Sequence, residues 1–265
     1  MSYRITILGC GASWGVPRVG NDWGQCDPSN PKNRRRRCAL LVERRSAGGT
    51  TSVLVDTGPD LREQLLSVRA TALDAVLYTH DHADHTHGID DLRGIAYAMR
   101  RRVPVWFDRA TRDSLVTRFT YCFQTPPGGN YPPILEPHDI NPPEPIRING
   151  SGGVIDVIPV LQSHADSQTL GFRIGRFAYS PDISGLPDSS MPLMEGLDLW
   201  IVDALRPVPH PSHFSVKQAL SWIERLQVKR GVLTHLTAEL DYETLKRELP
   251  PHVEPAYDGM VIELD

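Results

Sequence analysis

The segment His80-Asp81-His82-Ala83-Asp84-His85 holds three histidines and two aspartates within six residues. It follows a short apolar run that predicts a buried strand, and it leads into a helical pattern. A loop between a strand and a helix can bring alternate side chains to one point. Neutral imidazole and carboxylate groups are the ligands that suit zinc, manganese or iron. The segment therefore predicts a metal site.

Three further polar residues stand where predicted apolar strands stop. They are His164, Asp182 and His235. Sites in layered α/β proteins commonly lie at the ends of strands. Taken alone, each of these residues is typical of an ordinary solvated loop. Together with the histidine-rich segment, they predict a larger set of metal ligands at one sheet edge.

Strand and helix patterns alternate along the chain, which predicts a layered α/β fold. The predicted strands are residues 3–8, 38–42, 53–55, 75–78, 103–107, 155–161, 171–179, 199–202, 231–234 and 259–264. The predicted helices are residues 61–68, 85–99, 111–119, 216–226 and 242–249. No linker composition interrupts them, so we expect one domain over residues 1–265.

Prolines crowd the stretch from about residue 125 to 145, which includes PPGGNYPP and NPPEP. Proline lacks a backbone donor and fixes φ, so this stretch is predicted to lack regular structure. Long loops inside a domain are usually functional or mobile. We expect an arm beside the site, and such an arm can also cross to a second subunit in a homodimer.

The charge balance and the cysteines limit the partners and the compartment. The 28 Lys and Arg against 32 Asp and Glu give a formal net charge of −4, which argues against long nucleic acids as partners. No stretch approaches the roughly 20 apolar residues that span a membrane, and the first residues do not resemble a signal peptide. Four cysteines are too few for a disulfide scaffold, so we expect a cytoplasmic location.

The full ligand set resembles the dinuclear site of the metallo-β-lactamase superfamily. This resemblance implies a four-layer αββα sandwich with two divalent ions per chain, zinc or manganese. It assigns the first ion to His80, His82 and His164. It assigns the second ion to Asp84, His85 and His235. Asp182 would bridge both ions, and Asp56, in Val55-Asp56-Thr57-Gly58, would orient a histidine from behind.

Three segments resemble the phosphodiesterase branch of that superfamily. They are GCGASWGVP at residues 9–17, the region from Thr79 through DDLR at residues 90–93, and PSHFS at residues 211–215. The second is similar to the phosphoribosyl cyclic phosphodiesterases of phosphonate degradation. The third contains His213, which matches a histidine near the leaving group in phosphodiesterase relatives, including the tRNA 3′-processing ribonucleases.

The resemblance implies hydrolysis of a small cyclic or nucleotide-like phosphodiester by a hydroxide shared between two metals. His213, just ahead of a helix, would protonate the leaving group, and Asp84 would serve catalysis as well as metal binding. A different hydrolysis on the same metals, of a thioester or a lactone, is the rival. A third reading is a non-catalytic accessory protein like the one in pyrroloquinoline quinone biosynthesis.

Several residues keep two readings at this point. The four arginines at 34–37 are typical of a solvated charge run, and they also suit a phosphate. His210 is typical of a rigid loop, and His138 lies in the proline-rich arm. Some cyclic phosphodiesterases carry three closely spaced cysteines that bind a structural zinc. This chain has only Cys26 in that loop, with Cys38 at the next strand, so the sequence does not predict that zinc.

Overall fold

Two mixed β-sheets of seven strands each form the centre of the computed structural model, which describes residues 2–264. The strands are β1 (Ser2–Gly9), β2 (Ala39–Ser46), β3 (Gly49–Val55), β4 (Ala75–Leu77), β5 (Val103–Phe107), β6 (Leu135–Asp139), β7 (Ile146–Ile148), β8 (Ile155–His164), β9 (Ser167–Ile174), β10 (Phe177–Ser180), β11 (Leu199–Asp203), β12 (Arg230–Thr234), β13 (Val253–Pro255) and β14 (Val261–Leu264). The helices are α1 (Leu61–Ser67), α2 (Ala83–Thr86), α3 (Leu92–Met99), α4 (Arg109–Arg118), α5 (Thr120–Phe123), α6 (Val216–Arg225) and α7 (Tyr242–Glu248).

Each sheet joins an antiparallel half to a parallel half. The first sheet has the order β14-β1-β2-β3-β4-β5-β6, and its strands run parallel from β3 to β6. The second has the order β13-β12-β11-β10-β9-β8-β7, and its strands run parallel from β10 to β13.

Most central strands are buried on both faces. In β2, Leu40 and Val42 face the core between the two sheets, whereas Leu41 faces the core under the helices. This alternation follows from the two-residue period of a strand. Helices α1, α3 and α4 cover the first sheet, and α6 and α7 cover the second. The four-layer αββα sandwich expected from the sequence is confirmed.

The strand directions bring the predicted site residues to one edge. Strands β3 and β4 run parallel in the first sheet, and β10, β11 and β12 run parallel in the second. Strand β8 is antiparallel to β9, which is antiparallel to β10, so β8 runs in the same direction as β10. The carboxyl ends of these strands carry the candidate residues, as is usual for sites in α/β folds.

The predicted helix at residues 85–99 is interrupted at Gly88. The Gly88 amide donates to the carbonyl oxygen of Thr57 at 2.7 Å, and a Cβ at position 88 would overlap the carbonyl oxygen of Gly58. This close approach ends α2 after one turn, and α3 starts six residues after the end of α2. The predicted strand at 171–179 is likewise two strands, because Gly175 turns the chain with a φ of 57°.

The prediction that the whole stretch from about 125 to 145 lacks regular structure is wrong, since residues 135–139 form β6. Pro137 lies within this strand, but β6 is at the edge of its sheet. An edge strand tolerates proline because one side of its backbone needs no partner. Residues 125–134 contain no helix or strand.

Within residues 2–264, no helix combines the length and the apolar character that crossing a membrane requires.

Candidate metal centre

The histidine-rich segment begins beyond the carboxyl end of β4 and continues into α2. His80 is buried, and His82 is exposed just before the helix. Asp84 and His85 lie within α2, and both are buried. The extended loop and the helical turn thus place these side chains in two neighbouring groups of potential ligands.

In each group, the candidate ligand atoms lie within 4.8 Å of one another. The first group consists of His80, His82, His164 and Asp182. The second group consists of Asp84, His85 and His235. The structure thus brings together all seven side chains that the sequence singled out as metal ligands.

Asp182 lies between the two groups, and each of its carboxylate oxygens faces one of them. Its Oδ2 is 3.8 Å from His80 Nε2 and 4.0 Å from His164 Nε2. Its Oδ1 is 3.0 Å from His85 Nε2 and 3.4 Å from His235 Nε2. A carboxylate in this position can bind to cations on both sides at once.

The cluster fits a cation because several of its buried polar atoms have no hydrogen-bond partner within residues 2–264. These atoms are His80 Nε2, His85 Nε2, His235 Nε2 and Asp182 Oδ1. A buried polar atom without a partner is costly, and such atoms are rare in native proteins unless an ion or water satisfies them. Nitrogen and carboxylate donors together make up the ligand chemistry of a divalent transition metal.

The protonation states of the cluster also suit a cation. Burial lowers the pKa of His80, and it lowers the pKa of His164 to about 4, so both imidazoles are neutral near neutral pH. Burial alone would raise the pKa of Asp182, but His235 and His85 beside it hold that pKa well below its usual value. Metal ligation needs neutral imidazole and ionised carboxylate, which are the forms of these three side chains. Burial alone would lower the pKa of His85, but Asp182 and Asp84 hold it well above its usual value, so His85 would release a proton on binding a cation.

Asp56 supports the second group from behind. It follows β3 in a left-handed conformation, with a φ of 65°. Its Oδ2 accepts a hydrogen bond from His85 Nδ1 at 2.7 Å, and its Oδ1 accepts one from the Thr79 amide at 2.9 Å. Because Nδ1 carries the proton in this hydrogen bond, the lone pair of His85 lies on Nε2, which faces Asp182.

His213 lies beside the cluster, in the loop that precedes α6. Its ring stacks on His235 with centroids 4.8 Å apart, and its Nε2 is 3.9 Å from Asp182 Oδ2. Its Nδ1 donates to Asp203 Oδ2 at 2.7 Å. Asp203 therefore orients the imidazole so that Nε2 faces the centre.

Asp203 is a candidate site residue that the sequence reasoning missed. It is the last residue of β11 and is fully buried. The signal was available, because Asp203 ends an apolar strand as His164 and His235 do. Asp203 belongs to no recognised motif, so motifs alone do not single it out.

Other residues singled out in the sequence have different surroundings. His138 stacks on Trp106 with centroids 4.5 Å apart. Cys26 is buried, and its Sγ lies 3.4 Å from the carbonyl oxygen of Leu240. Cys38 is also buried, 3.6 Å from Thr234 Oγ1. Neither cysteine belongs to a potential metal-binding group among the described residues.

A family model described as "Beta-lactamase superfamily domain" matches residues 51–236, which is more than half of the chain and includes all seven clustered side chains. The chain belongs to the metallo-β-lactamase superfamily. The expectation drawn from the sequence is confirmed at this level. The metallo-β-lactamase fold and this cluster of histidines and aspartates support the assignment of the protein as a metal-dependent hydrolase.

Two kinds of relative define the place of the chain within the superfamily. A crystal structure described as a new diphosphatase from the PhnP family is 36% identical, with a TM-score of 0.89, over 100% of this chain and 98% of that one. This match confirms the PhnP-like branch. Coenzyme PQQ synthesis protein B of Acinetobacter baumannii (strain ACICU) is 24% identical over 98% of this chain and all of that protein.

A third relative is longer than this chain. It is a Porphyromonas gingivalis protein named octanoyltransferase, 33% identical over 99% of this chain. The chain spans 52% of the length of that protein. The name therefore describes a protein about half of which has no counterpart here.

We expect Gly58→Ala to lower both the stability of the protein and the metal affinity of this centre, although it replaces none of the proposed ligands. A Cβ at position 58 would overlap the carbonyl oxygen of Asp84, so α2 must shift. Overpacking of this kind costs about 1–3 kcal/mol of the free energy of unfolding. Urea unfolding and a zinc titration measure the two effects. Gly94→Ala is the control, because a Cβ there meets nothing within 4 Å; equal behaviour of the two variants would contradict the prediction.

Added divalent metal should stabilise the metallo-β-lactamase domain, because it binds side chains that only the folded chain brings together. At about 100 times its dissociation constant, an ion adds about 2.7 kcal/mol to the free energy of unfolding. For a chain of this size, that raises Tm by roughly 5–10 °C. Thermal unfolding with zinc, with manganese and with chelator tests this. An unchanged Tm in all three conditions would argue against a metal centre.

Proposed function

We propose that this metal-dependent hydrolase cleaves a small phosphodiester, cyclic or nucleotide-like, at a centre that holds two divalent ions, zinc or manganese. The observation that carries the proposal is the pair of His213 and Asp203. An imidazole fixed at 2.7 Å by a buried carboxylate, with its other nitrogen toward the metal ligands, suits proton donation to a leaving oxygen. The match to the PhnP-family diphosphatase supports the same chemistry.

In this proposal, His80, His82 and His164 hold one ion, and Asp84, His85 and His235 hold the other. Asp182 is shared, because its two oxygens face the two groups. When bound, the ions supply an activated water and stabilise negative charge on the phosphoryl oxygens. Asp56 keeps His85 oriented through its hydrogen bond to Nδ1.

The side chains around the centre account for the remaining steps. Hydrolysis adds a hydroxyl group from water to phosphorus and breaks the bond from phosphorus to the leaving oxygen. As an imidazolium whose Nδ1–H is held by Asp203, His213 gives the proton on Nε2 to that oxygen and becomes neutral. Burial lowers the pKa of His213, so the imidazolium is the minor form near neutral pH but gives up its proton readily.

A direct test combines metal content with activity in one sample. Elemental analysis counts the ions per chain, and bis(p-nitrophenyl) phosphate reports phosphodiester hydrolysis with and without chelator. We expect two ions and a chelator-sensitive rate. Bound metal with no turnover, under zinc and under manganese, would count against the phosphodiesterase.

Thioester hydrolysis is the second candidate function, and the relative named octanoyltransferase is the observation that favours it. An octanoyl thioester assayed beside the phosphodiester separates the two. A non-catalytic role, suggested by the PQQ synthesis relative, predicts turnover of neither substrate.

The partners proposed here are small molecules. With a formal net charge of −4, we expect neither a long nucleic acid nor a membrane as partner. A homodimer stays a prediction, and light scattering tests it.

A further inference from the structure

A cavity of about 310 Å³ opens beside His213. One wall is the loop after β1, which contributes Trp14 and Arg18. The loop after β11 also lines the cavity and contributes Arg206, His210 and His213. Because His213 faces the leaving oxygen in the proposed function, this cavity lies on the side of the leaving group.

The cavity is lined by two arginines, Arg18 and Arg206, and by one carboxylate, Glu239, which forms an ion pair with neither of them. The Arg206 guanidinium donates to the carbonyl oxygens of Val208 and Pro209, at 3.3 and 2.9 Å. Among the described residues, it forms no ion pair. The other arginine of the cavity, Arg18, pairs with Asp22 at 2.6 Å. An arginine fixed by backbone contacts and left unpaired favours an anionic group.

His210 adds a neutral donor to the same wall. Its Nδ1 accepts a hydrogen bond from the Ser212 amide at 3.3 Å. The proton of its neutral ring is therefore on Nε2, and the lone pair on Nδ1 is used. Its ring lies 5.3 Å from that of His213, so the donor is next to the proposed proton donor.

The loop after β1 contributes an exposed aromatic ring to the cavity. Trp14 is 71% exposed, which is unusual for the largest apolar side chain. The Arg18 guanidinium lies over this ring, 5.8 Å from its centroid, and both side chains line the cavity. An exposed aromatic face next to a cation is the arrangement on which nucleobases stack.

We propose that this cavity binds the leaving half of the substrate and selects a group that combines a planar base with its own negative charge, namely a nucleoside monophosphate. The inference rests on the proposed function for the direction of the reaction. Arg206 and His210 hold the charge, and Trp14 stacks on the base. The substrate class that follows is a phosphodiester whose leaving half is a nucleotide with a phosphate of its own, released through a sugar hydroxyl that needs the proton of His213.

Binding of the leaving half tests this without depending on turnover. Isothermal titration of the metal-loaded full chain compares three probes: AMP, adenosine and ribose 5-phosphate. AMP carries both features, adenosine lacks the charge, and ribose 5-phosphate lacks the base. We expect AMP to bind at least about 10-fold more tightly than either of the others.

Two variants assign the two features. Arg206→Ala should weaken AMP by about 10-fold or more while leaving adenosine unchanged. Trp14→Ala should weaken AMP and adenosine alike, by about 10-fold, and leave ribose 5-phosphate unchanged. Arg225→Ala is the control, because that arginine packs on Trp222, which does not line the cavity.

The outcomes separate this inference from the proposed function. If AMP binds no better than adenosine, or if Arg206→Ala equals Arg225→Ala, the cavity does not select a charged nucleotide. The rate on bis(p-nitrophenyl) phosphate, whose leaving group has no second charge, judges the phosphodiesterase by itself. Nucleotide selection by a protein without that activity would overturn only the proposed function.

Discussion

Replacing His213 by alanine should lower kcat by about 10²–10⁴-fold and leave the metal content unchanged. The side chain is held by Asp203 at 2.7 Å. It also lies within reach of Asp182 and His235 as a third potential group of ligands, but it belongs to neither of the two proposed groups. Its loss removes the proton donor of the proposed reaction but none of the seven proposed ligands. Elemental analysis and steady-state kinetics on the same preparation measure both quantities.

The size of this effect should depend on the leaving group. p-Nitrophenolate departs near neutral pH without a proton, so His213→Ala should lose less activity on a p-nitrophenyl ester. An alkyl ester needs the proton, so the same variant should lose much more activity there. A merely structural role for His213 would lower both rates by the same factor.

His252→Ala is the matched control, since it removes an exposed imidazole that belongs to no potential ligand group among the described residues. It should keep the wild-type rate on both esters. A His213→Ala variant that also kept both rates would contradict the proposed proton donor.

Asp182→Asn should have the second large effect, on metal binding itself. Removing the charge from the shared carboxylate weakens both groups, because each oxygen faces two histidines. The loss of affinity should exceed the ~10–100-fold that follows when only an outer partner of a ligand is removed. Zinc titration with a competing chelator measures it, and activity should fall with the bound metal.

Asp198→Asn provides the comparison, because it removes a carboxylate that pairs with Lys229 and Arg176 instead. It should bind metal as the wild type does. If Asp182→Asn retained two ions at wild-type affinity, the shared position of this carboxylate would be wrong.

The candidate ligands could be predicted because each of them interrupts an apolar pattern at a strand end. His164 and His235 follow β-rich runs, and the parallel order of the strands brings such ends to one edge. Asp203 obeys the same rule, but only the structure links it to His213. The contact depends on a loop conformation that no periodicity encodes.

The four arginines at 34–37 show what sequence cannot supply. Arg35 is 2% exposed and donates to the carbonyl oxygen of Leu240 at 2.6 Å. Arg36 pairs with Asp258 and Arg37 with Asp60, each at 3.0 Å. These adjacent arginines thus have different partners, which lie from 23 to 222 residues away along the chain. The sequence alone does not show which partner each arginine has.

Six of the seven clustered side chains are buried, whereas His82 is exposed. A cation reaching the first group from solvent therefore meets His82 before the others, and a departing cation leaves it last. We therefore expect His82 to affect the rate of metal exchange more than the equilibrium affinity for the metal. His82→Ala should shorten the residence time of the ion by a larger factor than it changes the occupancy at saturating metal, and stopped-flow chelation measures that time.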